Sequence, residues 1–194
     1  MGSALGSRPN PRNKGNQSDD RGRAVRETFA AGMPGTGISA GTGTICKSSV
    51  VREGDIITTQ ILVDLTGLAS STTDLDIIGV GAGAAYLCQI TAAVNGTILG
   101  GTMACIEAPA GGVTDIDFYA ATEATGVFDA GIGTLVETIL VTAGGAWAIT
   151  TAPKAIVADG IAANAYLYLT GGAAGTAATY TGGRFLITLI GNPA

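Results

Sequence analysis

The string TDIDFY (residues 114–119) sets Asp115 and Asp117 two apart in an apolar frame, and TDLDII (residues 73–78) does the same with Asp74 and Asp76. Two carboxylates at that spacing suit three chemistries. They can divide the roles of acid and base, as in glycoside hydrolysis. They can supply hard oxygen ligands to calcium. Or they can be the solvated side of two strands, because residues two apart on a strand share a face. On a strand Asp115, Asp117 and Tyr119 point one way and Ile116, Phe118 and Ala120 the other. Asp74 and Asp76 stand against Leu75 and Ile77 in the same manner. The composition favours the solvated-face reading. Calcium would require both pairs to converge. Sugar hydrolysis would require stacking aromatics, and Trp147 is the only tryptophan.

Other catalytic arrangements are thin. The chain has no histidine, which removes the usual activation of a serine or cysteine nucleophile. Lys47 and Ser48 are adjacent, so on a strand they face opposite ways. Cys46, Cys88 and Cys105 lack CxxC spacing and do not form a zinc set. GTGISA (35–40) and GVGAGA (79–84) imitate a dinucleotide fingerprint. That motif needs a helix to carry the pyrophosphate, and strand-like or loop-like sequence follows both, so each reads as a turn. No P-loop is present. The expectation is a protein that is not an enzyme and that carries no cofactor and no metal, with Asp74, Asp76, Asp115 and Asp117 as the residues to watch.

The elements that position these residues are strands. In IITTQILVDL (56–65), Ile57, Thr59, Ile61, Val63 and Leu65 share one face, and Ile56, Thr58, Gln60, Leu62 and Asp64 the other. This alternation predicts a half-buried strand, preceded by TICKSSVV (44–51) and the turn REGD. DLDIIGV, YLCQITAAV, TILGGTMACIE, VTDIDFYAA, TLVETILVT, AYLYLT and RFLITLIG follow. Nine or ten short strands without a long helix predict an all-β, antiparallel β-sandwich or barrel. In AAVNGTIL, Asn95-Gly96 is the pair that a two-residue type I′ hairpin needs. That hairpin would put Tyr86 opposite Cys105 and Cys88 opposite Met103. Cys88 and Cys105 would then be diagonal neighbours, too far apart for a disulfide and therefore core thiols.

Charge divides the chain. Residues 1–30 hold six of the ten basic residues and a net charge of +3, whereas residues 31–194 carry −8. Residues 1–32, rich in Gly, Pro, Asn, Ser and Arg, predict a basic, flexible arm with at most a helical turn around 22–31. Residues 33–194 predict the β-domain. The arm's Arg8, Arg12, Lys14, Arg21, Arg23 and Arg26 suit a tether to a negative surface. Nucleic acid is disfavoured, because the body is acidic and the arm has only Phe29 to stack on bases. No apolar run follows the basic residues before Ala24, so no secretory leader is expected, and no transmembrane helix is predicted. Charged residues are 13% of the chain, about half the usual share. So little polar cover predicts that part of the surface is buried against copies of the chain or a partner.

The stretch TDLDIIG…CQITAAVNGTI…TMACIEAPAGG…DIDFYAATE, within residues 73–133, resembles structural proteins of tailed marine bacteriophages, small all-β proteins that coat or cement the capsid. The likeness continues more weakly through AYLYLTGG…AATYTGGRFLITLIG and leaves the N-terminal arm outside it. The resemblance implies a jelly-roll-like fold and a protein made in the host cytoplasm and carried on the virion's capsid surface. It also implies a homo-oligomer, often a trimer, seated on the major capsid protein. Two further readings share the composition. A head-fibre or tail component should show fibre repeats, and none is present beyond the two Asp motifs. A carbohydrate-binding sandwich should show clustered exposed aromatics, for which Tyr166 and Tyr168 on one face are the only hint.

Overall fold

The computed structural model describes residues 26–30, 32–157, 159 and 161–193. Eleven strands lie among them: β1 (Arg26–Ala30), β2 (Ile45–Glu53), β3 (Ile56–Asp64), β4 (Ala69–Ser70), β5 (Thr97–Ala110), β6 (Ile116–Ala121), β7 (Glu137–Val141), β8 (Lys154–Ile156), β9 (Tyr166–Gly171), β10 (Ala178–Thr179) and β11 (Gly182–Asn192). Among the described residues helical structure is confined to single turns, α1 (Thr36–Ser39), α2 (Ala92–Asn95) and a 3-10 turn at Ile132–Thr134. Among the described residues no helix is long and apolar enough to cross a membrane. The chain is thus all-β, as the alternation predicts.

Every pairing is antiparallel. One sheet runs β1-β2-β3-β11-β5-β8, a second runs β7-β6-β9, and a ribbon joins β10 to β4. The β2–β3 hairpin turns through Gly54 and Asp55, with Glu53 opposite Ile56. Gly54 takes the positive φ that such a turn requires. Along β3 the alternation holds: Ile57, Thr59, Ile61 and Val63 are buried, and Ile56 and Gln60 are exposed. A single core cluster joins the two sheets, with Ile61, Val63, Met103, Phe185, Ile187 and Leu189 from the larger and Phe118, Leu140, Leu167 and Leu169 from the smaller. Trp147 bridges them. Its ring meets Phe185 of β11 edge-on at 5.3 Å, and its Nε1 donates to the Ile116 carbonyl of β6 at 2.8 Å.

Four expectations need correction. First, residues 26–30 are not loose chain: their backbone pairs with β2, Arg26 opposite Glu53 and Ala30 opposite Ser49. Of the tether residues only Arg26 is described, and Arg8, Arg12, Lys14, Arg21 and Arg23 lie outside the described residues. Second, Asn95-Gly96 is not a type I′ turn. Thr91 caps the helical turn α2, its hydroxyl accepting from Val94 N. Asn95 is buried, its Oδ1 accepting from Thr91 N at 2.8 Å and its Nδ2 donating to Thr59 Oγ1 at 2.8 Å. Gly96 then leaves the turn at φ 67°. β5 accordingly pairs with β11 and β8, and residues 87–90 hydrogen-bond instead with Leu167 of β9 and with Ala165 just before it. Third, the segment 74–80 makes isolated bridges rather than a strand. Fourth, GTGISA does form one helical turn, and it packs on GVGAGA. Gly35 N donates to Tyr86 O and Gly37 N to Ala84 O, while a Cβ at Gly35 would stand 2.1 Å from Ala84 O. Close backbone contact explains these glycines without a ligand.

Asn95→Ala should destabilise the fold by about 1–3 kcal/mol, since it strands a buried amide and the Thr59 hydroxyl. A urea titration that shows no loss would return this segment to the status of an ordinary exposed turn.

Candidate functional site

β6 is the central strand of the small sheet, and all six of its residues are buried. The period-two reading places Asp117 and Tyr119 on one face correctly but makes that face wet, which it is not. Cross-strand neighbours share a face, so Asp117 lies beside Thr170 and Tyr119 beside Tyr168. One step before β6, Asp115 stands opposite Gly172, whose N donates to Asp115 O at 2.8 Å. Chain outside the strands covers this face. Tyr168 reaches into residues 122–135, donating to Glu123 O at 2.7 Å and accepting from Gly126 N at 3.4 Å. Asp117 is 3% exposed.

The second pair divides. Asp74 and Leu75 form a turn in which Leu75 has φ 63°, so they do not share a strand with Asp76. Asp74 is exposed, whereas Asp76 is buried and pairs through its backbone with Gly131. Convergence is therefore partial: Asp115 and Asp74 both act on Asp117, and Asp76 pairs with Gly131.

Electrostatics follow from this packing. Burial pushes the Asp117 carboxyl above its ordinary range, and the charges of Asp115 and Asp74 push it the same way. A 2.6 Å hydrogen bond from Ala143 N and the charge of Lys154 oppose the rise without cancelling it. Lys154 is held over the Trp147 ring at 5.4 Å and donates to the Thr142 and Ala143 carbonyls. With its pKa raised, Asp117 binds its proton more tightly in the folded than in the unfolded chain. Its contribution to stability is complete below the unfolded value of 3.8 and is lost as pH rises through the folded one. Asp64, at the end of β3, has the opposite sign. Burial pushes it up, but hydrogen bonds from the Thr66 hydroxyl (2.7 Å), Thr66 N (3.0 Å) and Arg184 Nε (2.7 Å), together with the Arg184 charge, hold it below the usual range. Its contribution is present above 3.8 and lost as pH falls through the folded value.

Nothing here assembles a nucleophile. Cys46, Cys88 and Cys105 are free thiols. Burial pushes Cys46 and Cys88 up to about 12, which leaves them protonated and inert at neutral pH. The hairpin register that the sequence suggests for Cys88 and Cys105 does not form, yet both are buried in the core. Among the described residues no large aromatic is strongly exposed: Tyr168 and Trp147 are buried, and half-buried Tyr166 packs edge-on against Tyr86 at 4.9 Å. The stacking platform of a sugar-binding sandwich is absent from them. Among the same residues no three Asp, Glu or Cys side chains gather closely enough to hold a metal ion by themselves. Two buried side-chain oxygens, Asp115 Oδ1 and Thr170 Oγ1, have no hydrogen-bond partner. The sequence singles out Asp115 but gives no signal for Thr170, which becomes the neighbour of Asp117 only through the β6–β9 register. No family model, no curated protein and no solved structure matches the chain.

Proposed function

We propose that the chain is a virion structural protein, a decoration or cement protein that binds and stabilises a bacteriophage capsid as an oligomer. The basic N-terminal segment acts as the tether. One observation carries this reading, the outer face of the large sheet. Three consecutive rows cross β3, β11 and β5 there: Leu62–Leu186–Ala104, Gln60–Thr188–Thr102 and Thr58–Ile190–Gly100. None of these residues is charged, and none is fully buried. Ions stand at its margins: Arg184 Nε lies 2.7 Å from Asp64 and 3.3 Å from Glu107 in the row at one end, and on β2 Lys47 stands opposite Leu62 and Glu53 opposite Ile56. Exposed Ile56 and Ile45 extend the apolar character toward β2. A sheet face with an uncharged centre of this kind suits contact with further copies or with a protein shell. The apolar run ILVDLTGLA, by contrast, is largely core. The resemblance of residues 73–133 to phage structural proteins supplies the identity of the shell.

Sedimentation velocity on the full chain at micromolar concentration is expected to show an oligomer, a trimer by that resemblance. Leu186→Lys should convert it to a folded monomer. Deleting residues 1–25, which leaves β1 intact, should lower occupancy on capsids most at low salt, because such contacts are screened beyond about 8–10 Å at physiological ionic strength. A wild-type monomer that does not decorate capsids would overturn the proposal.

A further inference from the structure

We propose that Asp115, Asp117 and Thr170 form a binding site for a hydrated calcium ion, with Asp74 adding its charge from the adjoining turn. Two buried oxygens without a partner mark this site, whatever the role of the chain on a virion. Thr170 is 0% exposed, and its Oγ1 neither donates nor accepts; Asp115 Oδ1 is likewise buried and unpartnered. A buried hydroxyl and a buried carboxylate oxygen each cost free energy unless something polar meets them. Among the described residues these are the two such side-chain atoms, and the β6–β9 register brings both to one face.

The carboxylates also converge. Asp115 and Asp117 both lean over Gly172, across the strand from Asp115. A Cβ built on Gly172 would stand 2.5 Å from Asp115 Oδ1 and 2.8 Å from Asp117 Oδ1. Any larger residue at position 172 would part them. Glycine therefore leaves Asp115 Oδ1 and Asp117 Oδ1, the latter also accepting from Ala143 N, turned toward the same small volume on the face that Thr170 shares. Left alone, this is an unfavourable arrangement. The charges of Asp115 and, from its exposed turn, Asp74 act against that of buried Asp117, and Lys154, engaged with carbonyl oxygens, is the cation that acts on Asp117. A divalent cation satisfies the orphaned oxygens and the charge together.

The ligand count selects the ion. The protein offers two carboxylates and one hydroxyl, with Asp74 as an outer charge, so water completes the shell. Calcium accepts six to eight oxygens in irregular geometry, whereas magnesium demands a near-octahedral set at shorter distance. A site with so few protein ligands belongs in the weak range, with a dissociation constant of about 10⁻⁴–10⁻³ M.

The test uses the full chain, stripped with EDTA and melted with and without calcium chloride, with magnesium chloride as the control. At about 10 mM calcium the melting temperature should rise by about 4–7 °C, and magnesium should give little. Terbium, a luminescent stand-in for calcium, should be sensitised by Tyr119, which lies two residues along the same face from Asp117. Asp115→Asn, nearly isosteric, should abolish both signals. Thr170→Val, which keeps the shape and removes the hydroxyl, should weaken binding about tenfold while leaving the chain folded. No calcium-dependent shift in the wild type, or an equal shift in Asp115→Asn, would overturn the proposal.

Discussion

Trp147→Ala should cost about 3–5 kcal/mol, the largest loss expected from any single truncation in the molecule. The indole is 3% exposed and joins two sheets that share no strand. It fills the space against Phe185 of the large sheet, and its N–H satisfies the Ile116 carbonyl of the small one. Removing it opens a cavity and strands a buried acceptor in one step. Trp147→Phe separates the two effects. It keeps much of the contact with Phe185 and loses the hydrogen bond, for an expected cost of about 1–2 kcal/mol. A double-mutant cycle with Phe185→Ala should show coupling of about 0.5–1.5 kcal/mol, the range for aromatic pairs. Urea titrations measure all of these. If Trp147→Ala left the midpoint within error of the wild type, the residue would not be the link between the sheets.

Gly67→Ala should rank second, at about 2–5 kcal/mol, for a reason of backbone rather than core. Gly67 has φ 82°, where a Cβ is strained, and that Cβ would stand 2.1 Å from Thr42 O and 2.6 Å from Thr42 N. Neither is the tip of a flexible side chain, so the segment itself must move. Movement there breaks several contacts at once. Gly67 N donates to Tyr180 O, Thr66 donates to Asp64, and Thr66 O accepts from Thr44 Oγ1. Gly54→Ala is the control. It has φ 62° but open space where its Cβ would go, so it should lose only about 1 kcal/mol. Equal losses at the two positions would show that φ alone sets the cost and that the contact with Thr42 relaxes freely.

The strands were legible where one face is buried and the other is not. β3 shows this directly, and β9 and β11 lie where AYLYLT and RFLITLIG point. Period two reports which residues share a face, however, not what covers that face. Asp117 shares its face with Tyr119 as the spacing requires, and it is buried where Ala143, 26 residues away, closes on its carboxylate, a long-range fact with no local signature. The Asn95-Gly96 reading failed for a related reason. The dipeptide suits a hairpin turn, but Thr59, 36 residues away, offers the Asn95 amide a buried partner, and Thr91 offers a helix cap. β1 was missed because RETFA shows no alternation; it is identified by its pairing with β2. Of the candidate site, the two Asp motifs were visible. Thr170 and the part played by Gly172 were not, since both depend on which strand lies beside β6.

The place of β11 has a consequence for synthesis of the chain. It lies between β3 and β5 in the large sheet, yet it is translated after both. On the ribosome, the β1-β2-β3 unit and β5 therefore emerge as separate halves, with β3 and β5 each lacking the partner between them. No local hairpin can join them, because the connecting strand begins at Gly182. The sheet closes only when that last segment arrives and inserts along both edges at once. Until then β3 and β5 present unpaired backbone to any other nascent chain, the situation in which strands from different molecules pair wrongly. The vectorial order of translation thus makes completion of the large sheet a late, all-or-none event, and its slow step the capture of β11 rather than the formation of any hairpin.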